Sequence, residues 1–321
     1  MTGPPADILV LRALGIGDLA TGVPALRGLR AAYPAAALTL AAPAWLAPLV
    51  DLIGAVDRLD PVDGLRSRPG WGRYDLTVNL HGRGPQSHRL LAPLGVPLWA
   101  FRNPEAGCLI GPEWRPDEHE VARWCRLVAW YGAPADPADL RLSAPRAAPA
   151  EAGATLVHPG AKAPARRWPP ERFAAVARAL SGAGHRVLIT GSAGDAALAR
   201  HVAGLAGLPG SQAVAGRTDI GELAGLVAHA RLVVCGDTGI GHLATAYGTP
   251  SVVLFAELGP HLWGPPAARP WHRALWRADL AGEPPAADTP HPALAALTAA
   301  EVVVAAGQAI GDRSHASHRL L

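Results

Sequence analysis

The chain has 321 residues, half of them hydrophobic, and 29 Lys and Arg against 26 Asp and Glu leave a net charge of +3. That length exceeds a usual single core and suits two α/β domains, while no uncharged apolar run approaches the roughly 18 residues of a membrane-spanning helix. Lys162 is the only lysine. The pI near 9.0 is therefore an arginine effect, and no Lys/Arg run of polybasic length points to nucleic acid. Cys108, Cys125 and Cys235 are odd in number and far apart, so they suggest neither a disulfide framework nor a metal cluster. With no basic and apolar leader pattern at the start, a reducing cytoplasm is the expected location.

Apolar strand patterns alternate with amphipathic helical ones. In the first half strands are predicted near 8–11, 38–41, 76–80 and 98–101, with helices near 23–32, 45–53, 86–94 and 118–131. Between Pro134 and Gly153 the composition turns to Pro, Ala and Asp without a strand pattern, which places the domain linker there and divides 1–145 from 146–321. Strands are then predicted near 155–158, 187–190, 232–235 and 252–255, with helices near 171–183, 196–205, 220–230 and 242–247. Phe173, Val176, Ala177 and Leu180 recur at helical spacing and mark a core-facing stripe. Thr298-Ala299-Ala300-Glu301 is a capping box opening a helix through about Ile310, and 311–321 reads as a frayed tail. The alternation predicts mostly parallel sheets covered on both faces.

Three strand-to-helix junctions stand out. The run Val233–Gly236 meets Asp237-Thr238-Gly239-Ile240-Gly241-His242 and passes straight into a helix. Free first-turn amides and the helix dipole suit an anion there, so Thr238, Gly239 and Ile240 can cradle a phosphate; Asp237 as an ordinary N-cap explains the same residues. Ile8–Leu11 leads through Arg12 into Gly15-Ile16-Gly17-Asp18, a Gly-rich turn with a carboxylate. His158-Pro159-Gly160-Ala161-Lys162 runs on through Ala165-Arg166-Arg167-Trp168-Pro169, a strand end, a basic loop and a helix start.

In this order and spacing the three junctions resemble glycosyltransferase family nine, the heptosyltransferases of the lipopolysaccharide core. The family's marks are a Gly-Asp turn after the first strand, a basic residue two before a Trp-Pro pair, and a late Asp-Thr-Gly-x-x-His turn. The resemblance spans about Ile8 to Pro265. It implies a GT-B architecture, two Rossmann-like doubly wound α/β domains facing across a cleft, with the acceptor side in 1–145 and the nucleotide-sugar side in 146–321. Ligands then gather beyond the carboxyl ends of the strands.

The resemblance implies transfer at a sugar's anomeric carbon, with inversion, from a nucleoside diphosphate donor such as ADP-heptose. Such a reaction needs a proton acceptor and stabilisation of the leaving diphosphate. Family position makes Asp18 the general base; its other reading is a cap of the first helix. Arg166 holds the family's basic position, where lysine is usual, and Lys162 lies four residues earlier. Either cation can meet the diphosphate, or both are solvated loop charges. Asp237, Thr238, Gly239 and His242 complete the donor site, His242 more as a brace for the turn than as a ligand. Asp195 sits where the family places a carboxylate for the ribose, and equally where a helix cap belongs. Arg12, His81 and Arg83 fall on the acceptor side, and Trp168 reads as packing.

No cofactor is expected. The sequence has no Asp-x-Asp pair and no His-Glu-x-x-His spacing, so arginine, lysine and helix amides are expected to meet the leaving-group charge without a metal. The implied partners are a nucleotide-sugar donor and a glycan, lipid-linked or small-molecule acceptor, with peripheral membrane contact left open and no nucleic acid. Two other readings stand beside this one. Gly15-x-Gly17-x-x-Ala20 fits a dinucleotide fingerprint of an NAD(P)-dependent oxidoreductase, although the second strand ends in Ala41-Ala42-Pro43 without a ribose-binding acid. A non-catalytic sugar-nucleotide-binding protein would share the same cleft.

Overall fold

The computed structural model describes residues 3–65, 70–145 and 149–318, so positions 146–148 of the predicted linker and 319–321 of the predicted tail lie outside the described residues. The chain forms two compact units, Met1–Ser143 and Ala144–Leu321.

The first unit runs β1 (Asp7–Leu11), α1 (Ile16–Ala32), β2 (Ala37–Ala42), α2 (Ala47–Asp51), β3 (Arg58–Pro61), β4 (Leu76–Asn79), α3 (Gln86–Leu91), β5 (Leu98–Trp99) and α4 (Glu120–Trp130). Its five strands lie in the order β3-β2-β1-β4-β5, all parallel, with Leu11 of central β1 opposite Ala41 and Asn79. Ile8 to Leu11 have no exposed surface. A parallel sheet needs helices on both faces, which is why its strands read as continuous apolar runs.

The second unit runs β6 (Thr155–His158), α5 (Pro170–Gly182), β7 (Val187–Ile189), α6 (Ala196–Ala206), α7 (Ile220–Ala228), β8 (Leu232–Gly236), α8 (Gly239–Tyr247), β9 (Ser251–Leu254), α9 (Pro260–Trp263), β10 (His272–Leu275), α10 (Pro292–Ala295) and α11 (Ala299–His318). Its sheet, ordered β10-β9-β8-β6-β7, is again parallel throughout. Phe173, Val176, Ala177 and Leu180 of α5 face one core with Val157, Ile189 and the α11 residues Ala305, Ala306 and Ala309.

The structure departs from the sequence-based expectations where tertiary context outweighs local signals. Helix α1 begins at Ile16, seven residues before the predicted start, and continues through Pro24. Pro24 cannot donate to the Ala20 carbonyl. The loss is tolerated because Leu19 to Leu26 are all buried, and their packing offsets a helix-interior proline penalty of about 3 kcal/mol. Strands β3 and β10 carry no apolar run that would announce them, because both are edge strands with partly exposed residues. Helix α11 does not fray at Gly311 but runs to His318. An Arg273–Asp312 ion pair and the Arg313 guanidinium 5.0 Å above the Trp271 ring hold the extra turns.

Trp168 is 1 % exposed, meets Phe173 edge-on at 5.0 Å and donates through Nε1 to the Leu297 carbonyl at 3.2 Å. It thereby anchors the basic loop to the α5–α11 core. Trp168→Ala is expected to destabilise the protein by about 3–5 kcal/mol, the usual range for emptying a buried aromatic site, read as a lowered urea midpoint.

Candidate functional site

In the second unit the candidate residues converge at the carboxyl ends of β7, β6 and β8, three neighbouring strands. His158 ends β6 opposite Cys235 of β8, so the loops that follow these strands emerge side by side. Sharp turns of small residues let them approach closely. A Cβ on Gly160 would stand 2.6 Å from the Asp195 carboxyl carbon, and one on Gly191 2.7 Å from Asp195 Cβ. Asp195 fills that space, with Oδ2 accepting from the Ser192 amide at 2.9 Å and the Ser192 hydroxyl at 2.6 Å. It therefore closes a capping box while lying against the loop that carries Lys162 and Arg166.

Arg166 reaches from that loop to the head of α8. Its Nη2 donates to the Asp237 main-chain carbonyl and to Asp237 Oδ2, the latter at 2.6 Å. The pair is asymmetric in exposure, 46 % for the arginine side chain and 11 % for the aspartate. Asp237 holds one edge of the guanidinium in place; the fork's remaining N–H groups leave it able to bind an oxyanion. Lys162, in the same loop, is exposed.

The N-cap of α8 is Thr238, not Asp237. Thr238 has extended backbone and its hydroxyl donates to the Gly236 carbonyl at 3.2 Å, while Asp237 is turned to Arg166 and, at 3.9 Å, to His242 Nε2. The Thr238 side chain leaves the first turn uncapped; the Gly241 amide donates to the Thr238 carbonyl at 3.0 Å, and the Thr238, Gly239 and Ile240 amides are placed to meet another acceptor. His242 packs edge-on against Trp263 at 5.9 Å. Gly241 makes room beneath, since a Cβ there would meet Val253 at 3.2 Å and Cys235 Sγ at 3.3 Å. His158, a residue the sequence reading did not single out, pairs Nδ1 with the Thr190 hydroxyl at 3.0 Å. Burial holds its pKa down at about 4, against a weaker opposing pull from Asp195.

In the first unit Asp18 is the third residue of α1 rather than its N-cap, and its Oδ2 accepts from the Gly15 amide at 3.2 Å. His81 follows β4. Its amide donates to Asn79 Oδ1 at 3.0 Å, and its buried Nδ1 has no hydrogen-bond partner. Its pKa is lowered to about 4, first by burial, then by the Arg12 charge, with Asp18 pulling the other way. Asp18 and His81 therefore share one electrostatic neighbourhood, a carboxylate and a neutral imidazole. Arg83 is exposed, two residues farther on.

Arg12 is a correction. It was expected to touch acceptor or diphosphate, yet it is fully buried, with its guanidinium engaged by the Asp18 and Leu80 carbonyls, the Thr21 hydroxyl and Glu120. With no surface to offer, it binds nothing directly. Glu120 and Asn79, both buried, were missed because an acid in a helix's first turn and an amide at a strand end carry no signal until the fold encloses them.

Two wholly parallel α/β units, each presenting charged and Gly-rich turns at its strand ends, are the make-up of the GT-B fold. Residues 112–277, just over half of the chain, match the model of glycosyltransferase family 9 (heptosyltransferase), and the chain belongs to that family. Lipopolysaccharide heptosyltransferase 2 of Salmonella typhimurium is 27% identical over 320 residues, covering 80% of this chain and 85% of the relative. The structure of E. coli ADP-heptose lps heptosyltransferase II superposes with a TM-score of 0.76 at 22% identity, covering 96% of this chain and 99% of that one. E. coli heptosyltransferase WaaC with ADP gives 0.69 at 20% identity, covering 96% and 99%. The dinucleotide-oxidoreductase alternative falls with that membership. No helix among the described residues is long and apolar enough to cross a membrane.

The lowered histidine pKa values set an acid limit on stability. His81 and His158 near 4 and His272 near 3 stay neutral in the fold but take up protons when unfolded, where the value is 6.5. Above that value they contribute no pH dependence; as pH falls from there towards 4 the unfolded chain binds protons the native one refuses, so stability drops. The thermal midpoint is expected to fall through this window. His158→Gln, which keeps an acceptor and a donor for Thr190, should flatten the slope.

Proposed function

We propose that the chain transfers a heptose from ADP-heptose to a hydroxyl of a lipopolysaccharide core acceptor, inverting the anomeric centre without a metal ion. The observation that carries the donor half is the junction of Arg166 with Asp237 at the head of α8. It sets a partly exposed guanidinium beside the N-terminus of a helix that no side chain caps, a combination suited to a diphosphate. The names of the relatives, which act with ADP-heptose or were solved with ADP, support the choice of nucleotide.

In this reading Asp18 accepts the proton of the acceptor hydroxyl as its oxygen bonds to the anomeric carbon. The bond from that carbon to the diphosphate oxygen breaks, and the electron pair leaves with the nucleoside diphosphate. Arg166, Lys162 and the amides of Thr238, Gly239 and Ile240 stabilise that charge, and preorganised donors of this kind are often the largest single contribution to such a rate. Asp195 receives the ribose hydroxyls through the carboxylate oxygen left beside its Ser192 bonds. His81 and Arg83 serve the acceptor side. A small-molecule acceptor is the other outcome the assay allows.

The test is transfer from ADP-heptose to deacylated lipopolysaccharide core, followed by mass spectrometry with and without EDTA. Product in both conditions is expected. Asp18→Ala should retain ADP binding and lose about 10²–10⁴-fold in turnover, the usual worth of general-base help. Turnover near wild type would remove Asp18 from the mechanism, and loss in EDTA restored by manganese would overturn metal independence.

A second test addresses the diphosphate site. Thr238→Ala and Arg166→Ala should each weaken ADP binding in calorimetric titration, with an interaction energy of about 0.5–3 kcal/mol in the double mutant, because both meet the same phosphates. Strictly additive losses, or Lys162→Ala weakening binding where Arg166→Ala does not, would shift the contact to the lysine.

A further inference from the structure

The buried charge cluster behind the Asp18 turn has a geometry that packing alone does not require. Arg12, the residue after β1, sends its guanidinium into the sheet–helix interface of the first unit, where Nε donates to the Asp18 carbonyl and Nη1 to the Leu80 carbonyl. One rigid planar group thus ties the first turn of α1 to the end of β4, the residues that carry Asp18 and His81. Nη2 completes the fork with the Thr21 hydroxyl at 2.9 Å and Glu120 Oε1 at 3.4 Å.

Glu120 holds that guanidinium from α4. It is 5 % exposed, and both of its oxygens are engaged: Oε1 accepts from Trp124 Nε1 at 2.6 Å besides Arg12, and Oε2 from Arg123. Arg123 is itself fastened to the Glu118 carbonyl at 2.7 Å and lies 4.2 Å over the Trp114 ring. Trp124 closes the other side of Arg12, its ring centroid 4.8 Å from the guanidinium carbon. The carboxylate therefore has one position, and it fixes where the Arg12 charge rests. The helix leaves a matching gap at Gly22, where a Cβ would stand 2.9 Å from both Cδ and Nε of Arg12.

We propose that Glu120 is a positioning residue for transfer: through Arg12 it holds the Asp18 turn of α1 against the Leu80–His81 end of β4. The proposal rests on Asp18 as the base. Glu120 touches no substrate and acts only through the guanidinium. Removing its charge leaves Arg12 buried beside Arg123 with its main counter-charge gone, and the fork that holds the two carbonyls relaxes.

Two variants perturb the linkage in opposite ways. Glu120→Gln keeps the shape and removes the charge. Gly22→Ala keeps every charge and displaces the guanidinium, while raising the helix propensity of α1. Both are assayed for transfer from ADP-heptose to deacylated lipopolysaccharide core, for ADP affinity and for thermal midpoint. Each is expected to lower kcat about 10- to 100-fold, the scale of a misplacement near 1 Å, with ADP affinity unchanged. In an Asp18→Asn background the same substitutions should lower kcat little further, because the group they position is gone. A purely structural role predicts instead the same loss in both backgrounds, and that result, or wild-type kcat in a folded Gly22→Ala protein, overturns the proposal.

Should Glu120→Gln fail to fold, Gly22→Ala alone decides. If Asp18→Asn itself keeps turnover, the base assignment falls separately. Amide hydrogen exchange across residues 15–21 then judges Glu120: faster exchange in Glu120→Gln supports its hold on the turn, and unchanged exchange refutes it.

Discussion

Every strand pairing among the described residues is parallel, and the placement of the chemistry follows from that constraint. Parallel strands must be joined by crossovers, so the chain leaves each strand at the same edge of its sheet, in most cases to enter a helix. The turns at that edge collect the charged and Gly-rich segments, which elsewhere would interrupt an apolar strand. In the second unit the order β8-β6-β7 makes neighbours of the Asp237, Lys162–Arg166 and Asp195 segments. In the first, β1 beside β4 does the same for Asp18 and His81.

Charge in these turns is handled in two contrasting ways. Arg166 stays half exposed, tied to Asp237 by one edge, and remains able to meet an oxyanion. Arg12 is enclosed and meets two carbonyls, a hydroxyl and a carboxylate. Taking a guanidinium out of water costs several kcal/mol, recovered only when nearly all its donors are satisfied. A buried arginine with that many partners is suited to fixing backbone geometry, and a half-exposed one to binding.

Much of the fold was legible because its strands are short apolar runs set between helices with a clear core stripe. β1, β6 and β8 were found nearly to the residue, and Phe173, Val176, Ala177 and Leu180 mark the face of α5 that the core receives. The Gly-Asp turn, the basic loop before Trp168 and the Asp-Thr-Gly turn were legible as a set, since their composition departs so sharply from the flanking strands. Of the four edge strands among the described residues, β5 and β7 were legible, and β3 and β10 were not. Arg58–Pro61 and His272–Leu275 are strands only because β2 and β9 offer them hydrogen bonds, and their own side chains hardly differ from loop.

The sequence by itself determined the class of fold, two alternating α/β halves, and singled out three strand-to-helix junctions as the candidate site, because both depend on local pattern and spacing. Tertiary structure decided which charged residues are available. Thr238 rather than Asp237 caps α8, since Asp237 has a partner 71 residues away in Arg166. Arg12 is a buried clamp rather than a ligand, since Glu120 meets it across 108 residues of chain. Such assignments turn on burial and on partners remote in sequence, quantities that no local window contains.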